Sequence, residues 1–207
     1  MVTELAVTKA RATGGPPKDD RRQALVLAAY HQIAERGVEG LRTREIAAEV
    51  GVNVATLHYY FPTKESLIRG VLGYAMAQFR ATLKPSGSAA DELRNHLRGL
   101  RQLLVDEPQL GLVLGEITLR SARDPDMAAA IRDTNDIWHA TLRGLIHRGV
   151  EQGNIDPAVD TDDVVAAVIE ALRAMMLLPS DQARGEQVER SFRQLERWLG
   201  VGAGGGD

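Results

Sequence analysis

Apolar residues recur at intervals of three and four along most of this chain, from about residue 19 to residue 199. Such a period gathers apolar side chains on one face of an α-helix, and no stretch shows the every-second-residue alternation of a half-buried strand. We therefore predict an all-α fold. The predicted helices cover residues 19–36, 43–50, 54–60, 63–83, 89–106, 108–122, 125–152, 161–178 and 185–199.

Three helix boundaries fall within the short stretch from Thr43 to Leu67. A tight turn at residues 51–53 separates two short helices, Pro62 prevents smooth continuation, and Thr63 can cap the helix that follows. Two short helices joined by a tight turn are typical of a helix-turn-helix motif. Because helices this short need tertiary packing, we expect the first helix to supply an apolar wall behind them.

Charge is distributed unevenly along the 207 residues, which carry a net charge of −3. Residues 1–70 hold ten Lys and Arg against eight Asp and Glu, net +2, whereas residues 71–207 hold fifteen against twenty, net −5. This asymmetry has the sign expected if contacts to phosphates are confined to the first part. The absence of cysteine excludes disulfides, thiolate catalysis and thiolate metal sites.

The same patterns suggest how the chain is divided. We expect a disordered basic arm at residues 1–18, a helix-turn-helix domain at 19–70, a second helical domain at 71–200 and a flexible glycine-rich tail at 201–207. The arm could reach phosphates or a minor groove, or it could be a solvated tail without a role. No apolar run reaches the roughly 18 residues of a membrane span, and no signal peptide is visible. A cytoplasmic protein with no membrane partner is therefore expected.

The helix-turn-helix stretch also matches a family pattern, in order, from about Arg21 to Val71. The matching positions are Gly40-Leu41, Thr43, Ile46-Ala47, Gly51-Val52, Thr56-Leu57, Tyr60-Phe61-Pro62 and Lys64-Glu65-Ser66-Leu67. This pattern resembles the DNA-binding end of TetR-family transcriptional regulators. The resemblance implies an N-terminal three-helix helix-turn-helix DNA-binding domain followed by a helical ligand-binding and dimerisation domain.

The second helix of the motif is the candidate for reading DNA. A helix of about seven residues is roughly 10 Å long, so its N-terminal half can lie in a major groove. The residues expected to face the bases are Asn53, Val54, Ala55, Thr56 and His58. Asn53 could bind a base or a phosphate, whereas the apolar side chains suit thymine methyl groups.

Further DNA contacts follow from the resemblance alone. Thr43, Tyr60 and Lys64 match positions that contact the DNA backbone. Arg44 matches a position from which some relatives bind a guanine, although it could be a solvated helix residue. His58 stands where family members commonly have Tyr, and Tyr59 could be either a packing residue or a backbone contact.

Metal binding and catalysis have little support in the second half. Glu92 and His96 share one helix face, as do Asp136 and His139, but a bundle di-metal site needs ligands from four helices. The remaining chemically active candidates are Glu116, Arg120, Asn135, His147 and Arg173. Because they form no constellation of nucleophile, acid and base, we predict neither an enzyme nor a cofactor.

The helices of the second half are more apolar than a single buried stripe requires. A ligand cavity and a dimer interface both explain the excess. We predict that the cavity is lined by Leu100, Leu103, Leu104, Leu112, Glu116, Leu119, Trp138, Thr141, Leu142 and Met175. The resemblance implies that the last two helices pair with those of a second copy. The residues predicted there are Met176, Val188, Phe192, Leu195 and Leu199, with Trp198 adjoining.

These features predict a homodimeric transcriptional regulator with two partners besides its own second copy. One partner is a palindromic double-stranded DNA operator, and the other is a small-molecule effector that releases the regulator from it. A repressor is the favoured form. The alternative is an all-helical enzyme or small-molecule carrier that uses its helix-turn-helix as a protein-interaction surface.

Overall fold

The computed structural model describes residues 18–177 and 182–201. Within these ranges all regular structure is helical, and none of these helices is long and apolar enough to cross a membrane. The helices are α1 (Lys18–Arg36), α2 (Thr43–Glu49), α3 (Val54–Tyr60), α4 (Lys64–Ala81), α5 (Ala89–Asp106), α6 (Pro108–Ser121), α7 (Pro125–Glu151), α8 (Thr161–Met176) and α9 (Gln182–Trp198). The predicted all-α fold is confirmed, and the helix bounds differ from the predicted ones by a few residues at most.

Side-chain caps fix where several helices begin. Thr63 and Ser66 form a reciprocal capping box at the start of α4, and Ser88 and Asp91 form another at the start of α5. Asp160 accepts hydrogen bonds from two amides of the first turn of α8. These caps satisfy N–H groups that a helix leaves unpaired at its start, and they depend only on local sequence.

Helices α1, α2 and α3 form one compact unit, called the head below. Ile33 of α1, Ile46 of α2 and Leu57 of α3 are all buried to 1% exposure or less, so α1 is the wall predicted for the motif. Between α2 and α3 the chain turns at Gly51, whose φ of 72° lies in the left-handed region that glycine adopts without strain. The turn therefore sets the angle at which α3 leaves the head.

Helix α4 connects the head to helices α5 to α9, called the body below. It packs against α1 in the head and against α5, α6 and α7 in the body. Inside the body, α5 packs against α7 and α9, while α6 packs against α7 and α8. The buried apolar side chains form one continuous core from Leu25 to Val201. Head and body consequently share a core along α4.

The predicted arm and tail fall mostly outside the described residues, which omit 1–17 and 202–207. Two of their residues are described and are ordered parts of the fold. Lys18 is the first residue of α1, and Val201 is fully buried with its carbonyl accepting a hydrogen bond from Arg94 Nε at 2.6 Å. The chain reaches this position because Gly200, at a φ of 65°, ends α9 and turns the backbone inward.

Candidate nucleic-acid interface and ligand cavity

The N-terminus of α3 is held by Asn53, the first of the residues predicted to face DNA. Its Oδ1 atom accepts hydrogen bonds from the amide of Thr56 at 2.7 Å and from the Thr56 hydroxyl at 2.9 Å. The side-chain oxygen of Asn53 is therefore occupied as a helix cap. Its NH₂ group is left for a base or a phosphate, and Thr56 offers chiefly its methyl group.

The rest of α3 divides into a buried anchor and an outward edge. Leu57 has no exposed surface and fixes the helix on the head. Ala55 and His58 are exposed, and Val54 is half-buried beside them. Within α3 there is no acidic residue, so the outward edge presents small apolar groups and an imidazole to a partner. No carboxylate of α3 would therefore repel the phosphates of a DNA groove placed against this edge.

Helix α2 is fastened to α1 by a residue that sequence reasoning missed. The Gln32 side chain is buried among the apolar residues of α1, and its Oε1 accepts from the amide of Arg42, the residue that precedes α2. Its Nε2 donates to Glu45 at 3.3 Å, and Glu45 also pairs with Arg36 at 2.7 Å. The only available signal was a polar residue on an otherwise apolar helix face.

Thr43 and Arg44 occupy the first turn of α2. Thr43 is half-buried and Arg44 is exposed, so the guanidinium is free to extend away from the head. Lys64 takes the corresponding place as the first residue of α4, directly after the Thr63 cap. A cation at each helix start adds to the N–H groups that favour phosphate there. The three residues predicted here for DNA contact are thus at or near the surface.

Tyr59 and Tyr60 differ in their surroundings. Tyr59 is 67% exposed, and its hydroxyl accepts a hydrogen bond from Lys18 Nζ at 2.8 Å. This contact lowers the pKa of Tyr59 and raises the pKa of Lys18. Tyr60 is half-buried, and its ring meets that of Tyr59 edge to face at 5.3 Å. Tyr59 therefore ties the start of α1 to the end of α3, and Tyr60 supports its ring.

A partly open cavity lies in the body, between α4, α6, α7 and α8. Its free volume is about 50 Å³, which is room for a few water molecules. The lining residues are Leu72, Met76, Leu114, Thr118, Ile131, Thr134, Asn135, Trp138, Ile169, Arg173 and Met176. Of the ten residues predicted for the ligand cavity, Trp138 lies here, and Met176 was predicted for the dimer interface instead.

The other predicted cavity residues lie elsewhere. Leu100, Leu104, Leu142 and Met175 are buried core residues, Leu103 is half-buried against the core, and the Thr141 hydroxyl donates to the Ile137 carbonyl of its own helix. Leu112 and Leu119 are 42% and 73% exposed and lie at the surface rather than in this cavity. Helix α6 has more apolar residues than its buried face holds. The sequence alone does not tell which of these residues are on that face.

Glu116 lies at the junction of head and body rather than in the cavity. Its Oε2 accepts a hydrogen bond from the Val38 amide at 3.3 Å. One turn further along α6, Arg120 pairs with Glu39 at 2.8 Å and with Glu65 at 3.5 Å. An open cleft of about 460 Å³ runs along this junction. Arg120 is the centre of its ion pairs, while Glu116 accepts from a backbone amide.

The residues of the predicted dimer seam are already covered within one chain. Val188, Phe192, Leu195 and Leu199 are each at most 2% exposed, because α9 packs this face against α5. These side chains therefore have almost no surface left for a second copy. The outward surface of α8 and α9 instead contains a groove lined by Ala171, Ala174, Met175, Gln187, Arg190 and Ser191.

His96 is fully buried and does not form a metal site with Glu92. Trp138 Nε1 donates to His96 Nε2 at 3.3 Å, which leaves His96 Nδ1 to donate to the Thr82 hydroxyl at 2.7 Å. Burial lowers the pKa of His96 to about 4, so the ring is neutral. Glu92 pairs with Arg148 at 2.9 Å. Within the described residues no three His, Asp or Glu side chains cluster as metal ligands.

Comparison with known proteins agrees with this arrangement of a reading head on a helical body. A model of bacterial regulatory proteins of the tetR family matches residues 25–71, and a model of the tetracyclin repressor-like C-terminal domain matches residues 83–195. Among sequence relatives, the HTH-type transcriptional repressor KstR2 of Mycobacterium tuberculosis is 24% identical over 148 residues. The aligned part covers 70% of this chain and 74% of KstR2.

Solved structures share the fold over nearly the whole chain. A TetR transcription regulator from Haloarcula marismortui superposes with a TM-score of 0.77 at 20% identity, covering 88% of this chain and 98% of that protein. A putative transcriptional regulator from Saccharomonospora viridis, in complex with choline, gives 0.71 at 24% identity, covering 88% and 97%. Since the two family models span the head and most of the body, this chain belongs to the TetR family of DNA-binding transcriptional regulators and is not an enzyme.

Proposed function

We propose that this protein is a homodimeric repressor that leaves a two-fold symmetric operator when a small molecule occupies the cavity of the body. The observation that carries this proposal is the placement of α4. Lys64 begins α4 beside the reading helix, and Leu72 and Met76 of the same helix line the cavity. Lys64 and Met76 are twelve positions apart, which is about 18 Å along the helix at 1.5 Å per residue. A shift of the cavity wall is thereby carried to the head.

The reading edge consists of the N-terminal half of α3. The Asn53 NH₂ group, Ala55 and His58 face the bases, and the methyl groups of Val54 and Thr56 suit thymine. Thr43, Tyr60 and Lys64 bind phosphates and set the register, with Tyr59 at the rim. Arg44 extends from α2 to a guanine. The support for these roles is the exposure of the polar groups and the anchoring of α3 by Leu57.

Two copies are needed because one short reading helix buries too little surface for tight operator binding. The outer groove of α8 and α9 is the surface we assign to the second copy, since its Ala171 and Ala174 allow helices to approach closely. The two heads would then reach successive major grooves about 34 Å apart on near-palindromic DNA. This placement replaces the buried seam of α9.

Release from DNA follows from the size of the cavity. A free volume of about 50 Å³ is smaller than most ligand sites, so an effector must displace side chains of the wall. Met76 on α4 and Met176 on α8 are flexible and yield most readily. If the enlarged cavity is compatible with only one spacing of the two heads, the ligand shifts the population toward that spacing.

We retain a division of the chain near residue 70, with the head as the DNA-binding part and the body as the regulatory part. The gap between the two family matches, at residues 72–82, supports a boundary inside α4. The name of KstR2 as a repressor supports repression over activation.

Selection of bound DNA from a random duplex pool tests the proposal. The purified chain is expected to enrich a two-fold symmetric consensus, and an effector added to the bound complex is expected to release it.

A further inference from the structure

The polar groups around the body cavity differ in whether their hydrogen-bonding capacity is already used. Trp138 Nε1 is committed to His96, and the Thr134 hydroxyl donates to the Ala130 carbonyl at 2.8 Å. Within the described part of the chain, no hydrogen bond is found for the side-chain amide of Asn135. Arg173 pairs with Glu170 through Nη1 at 3.2 Å, which uses one of its five N–H groups. The Thr118 hydroxyl, which also lines the cavity, has no hydrogen bond among the described residues either. The donors left at the cavity are therefore Arg173, Asn135 and the Thr118 hydroxyl, and only Arg173 carries a charge.

The residues that line the cavity carry positive charge only. Arg173 is the only ionisable residue among the lining residues, and no carboxylate is among them. Its partner Glu170 is an exposed residue of α8 and is not among the lining residues. A guanidinium beside an apolar space favours an anion, and it disfavours a cation by direct repulsion.

The rest of the cavity wall is apolar, so it can contribute to binding only through van der Waals contacts and the burial of apolar surface. Leu72, Leu114, Ile131 and Ile169 surround the space, and the Trp138 ring closes one side. With its N–H bonded to His96, Trp138 offers a ring face and no donor. A bound molecule therefore needs an apolar body as well as an acceptor group.

We infer that the effector of this regulator is an amphipathic carboxylate, whose anionic group is bound by Arg173 and Asn135 and whose hydrocarbon part lies against Trp138 and the apolar wall. This inference rests on the proposed function, because it names the ligand class of the same cavity. The Arg173 guanidinium can donate hydrogen bonds to both carboxylate oxygens, and the Asn135 NH₂ group can donate to one of them. Occupation would move Met76, and with it α4.

Three probes with alkyl chains of seven or eight carbons and different head groups test the ligand class. Octanoate, octanol and octyltrimethylammonium have nearly the same alkyl chain but carry a negative, a neutral and a positive head. Binding is read from the fluorescence of Trp138 in a Trp198→Phe background, because the chain contains two tryptophans and Trp198 is 58% exposed on α9. Octanoate is expected to bind at least about tenfold more tightly than octanol, since a charge-assisted hydrogen bond is worth that much or more.

Matched variants assign the head group to its residue. Arg173→Met is expected to weaken octanoate binding about tenfold and to leave octanol binding within about twofold. Arg173→Lys keeps the charge without the fork and should fall between the two, which covers a failure of the Met variant to fold. Arg143→Met is the control, because Arg143 on α7 also pairs with a single carboxylate, Asp162 at 3.1 Å, but lies outside the lining.

Glu170→Gln removes the carboxylate that competes for Arg173 and should raise octanoate affinity. Equal binding of the three probes, preference for the cation, no binding of octanoate, or an unchanged octanoate affinity in Arg173→Met would each overturn the inference. DNA selection with the same preparation distinguishes failure of the ligand class from failure of the proposed function. If a symmetric site is enriched but octanoate does not bind, only the carboxylate ligand class is refuted. If no site is enriched, the proposed function is refuted.

Discussion

The carboxylate of Glu116 on α6 accepts a hydrogen bond from the amide of Val38, 78 positions earlier in the chain, at 3.3 Å. It joins the body directly to the turn that links α1 and α2. With the Arg120 ion pairs to Glu39 and Glu65 beside it, this contact fixes how the head is held on the body. The orientation of the reading helix therefore depends on α6 as well as on α4.

Glu116→Ala should loosen this junction. The Val38 amide loses its acceptor, so its hydrogen exchange is expected to accelerate severalfold, and the free energy of unfolding should fall by about 0.5–1.5 kcal/mol. Leu119→Ala on the same helix is the control, because its side chain is 73% exposed and its removal should change stability by less than about 0.5 kcal/mol. Unchanged exchange at Val38 in the Glu116 variant would show that the contact does not hold the head.

Asn53 combines a structural and a DNA-binding role, and two substitutions separate them. Asn53→Ala removes the cap of α3 and is expected to cost about 1 kcal/mol of stability. Asn53→Ser keeps a capping oxygen but lacks the NH₂ group, so stability should stay near that of the unmodified protein while affinity for the operator falls. Thermal unfolding and fluorescence anisotropy with labelled operator measure the two effects. An operator affinity that follows stability alone would restrict Asn53 to capping.

Substitutions at Phe192 and Ala174 should have different effects, because Phe192 is buried in the core of one chain and Ala174 lies in the surface groove assigned to the second copy. Phe192 is fully buried within one chain, so Phe192→Ala should destabilise the fold by about 3–5 kcal/mol through the cavity it leaves. Ala174 is exposed in the outer groove, so Ala174→Arg should yield a folded monomer in sedimentation analysis. Ala77→Arg, exposed in the middle of α4, is the matched control. A dimer that persists in Ala174→Arg would place the interface elsewhere.

Sequence reasoning succeeded where the cause of a feature is local. The Thr63 cap and the turn at Gly51 follow from neighbouring residues, and the helices of the head lie where they were predicted. It failed where the apolar face of a helix could be covered either by the same chain or by a second copy. The apolar stripe containing Phe192 predicts burial correctly, but the stripe itself does not tell whether α5 of the same chain or a second copy covers it. The partner of Glu116 lies too far along the chain for any local pattern to indicate it.

Acid stability should report on His96. Its pKa is lowered from 6.5 to about 4 by burial, so the unfolded chain takes up a proton between these values while the folded chain does not. The contribution of neutral His96 to the free energy of unfolding is therefore fully present above about pH 6.5 and is lost as the pH falls toward 4. Between pH 7 and pH 5 the free energy of unfolding should fall by about 2 kcal/mol from this cause. Urea unfolding at both pH values should show this loss, and His96→Gln should remove that part of it. An equal loss in both proteins would exclude His96 as the cause.

Phosphate contacts and base contacts are expected to respond differently to substitution. Lys64→Ala should weaken binding to all duplexes about equally and reduce the salt dependence by roughly one charge. Arg44→Ala should instead relax the preference at one base position of each half-site, at a cost of about 1–3 kcal/mol for the preferred base. Titrations of operator and scrambled duplex at two salt concentrations measure both. A uniform loss in the Arg44 variant would reassign that residue to the DNA backbone.

The most direct test of the whole account is the DNA selection, followed by measurement of how many chains bind the selected duplex. A paired reading head on a helical body predicts a two-fold symmetric consensus whose half-sites are one helical turn apart or a multiple of it, bound by a pair of chains or by a whole number of pairs. A pool that shows no enrichment, or an asymmetric single site bound by one chain, would contradict it.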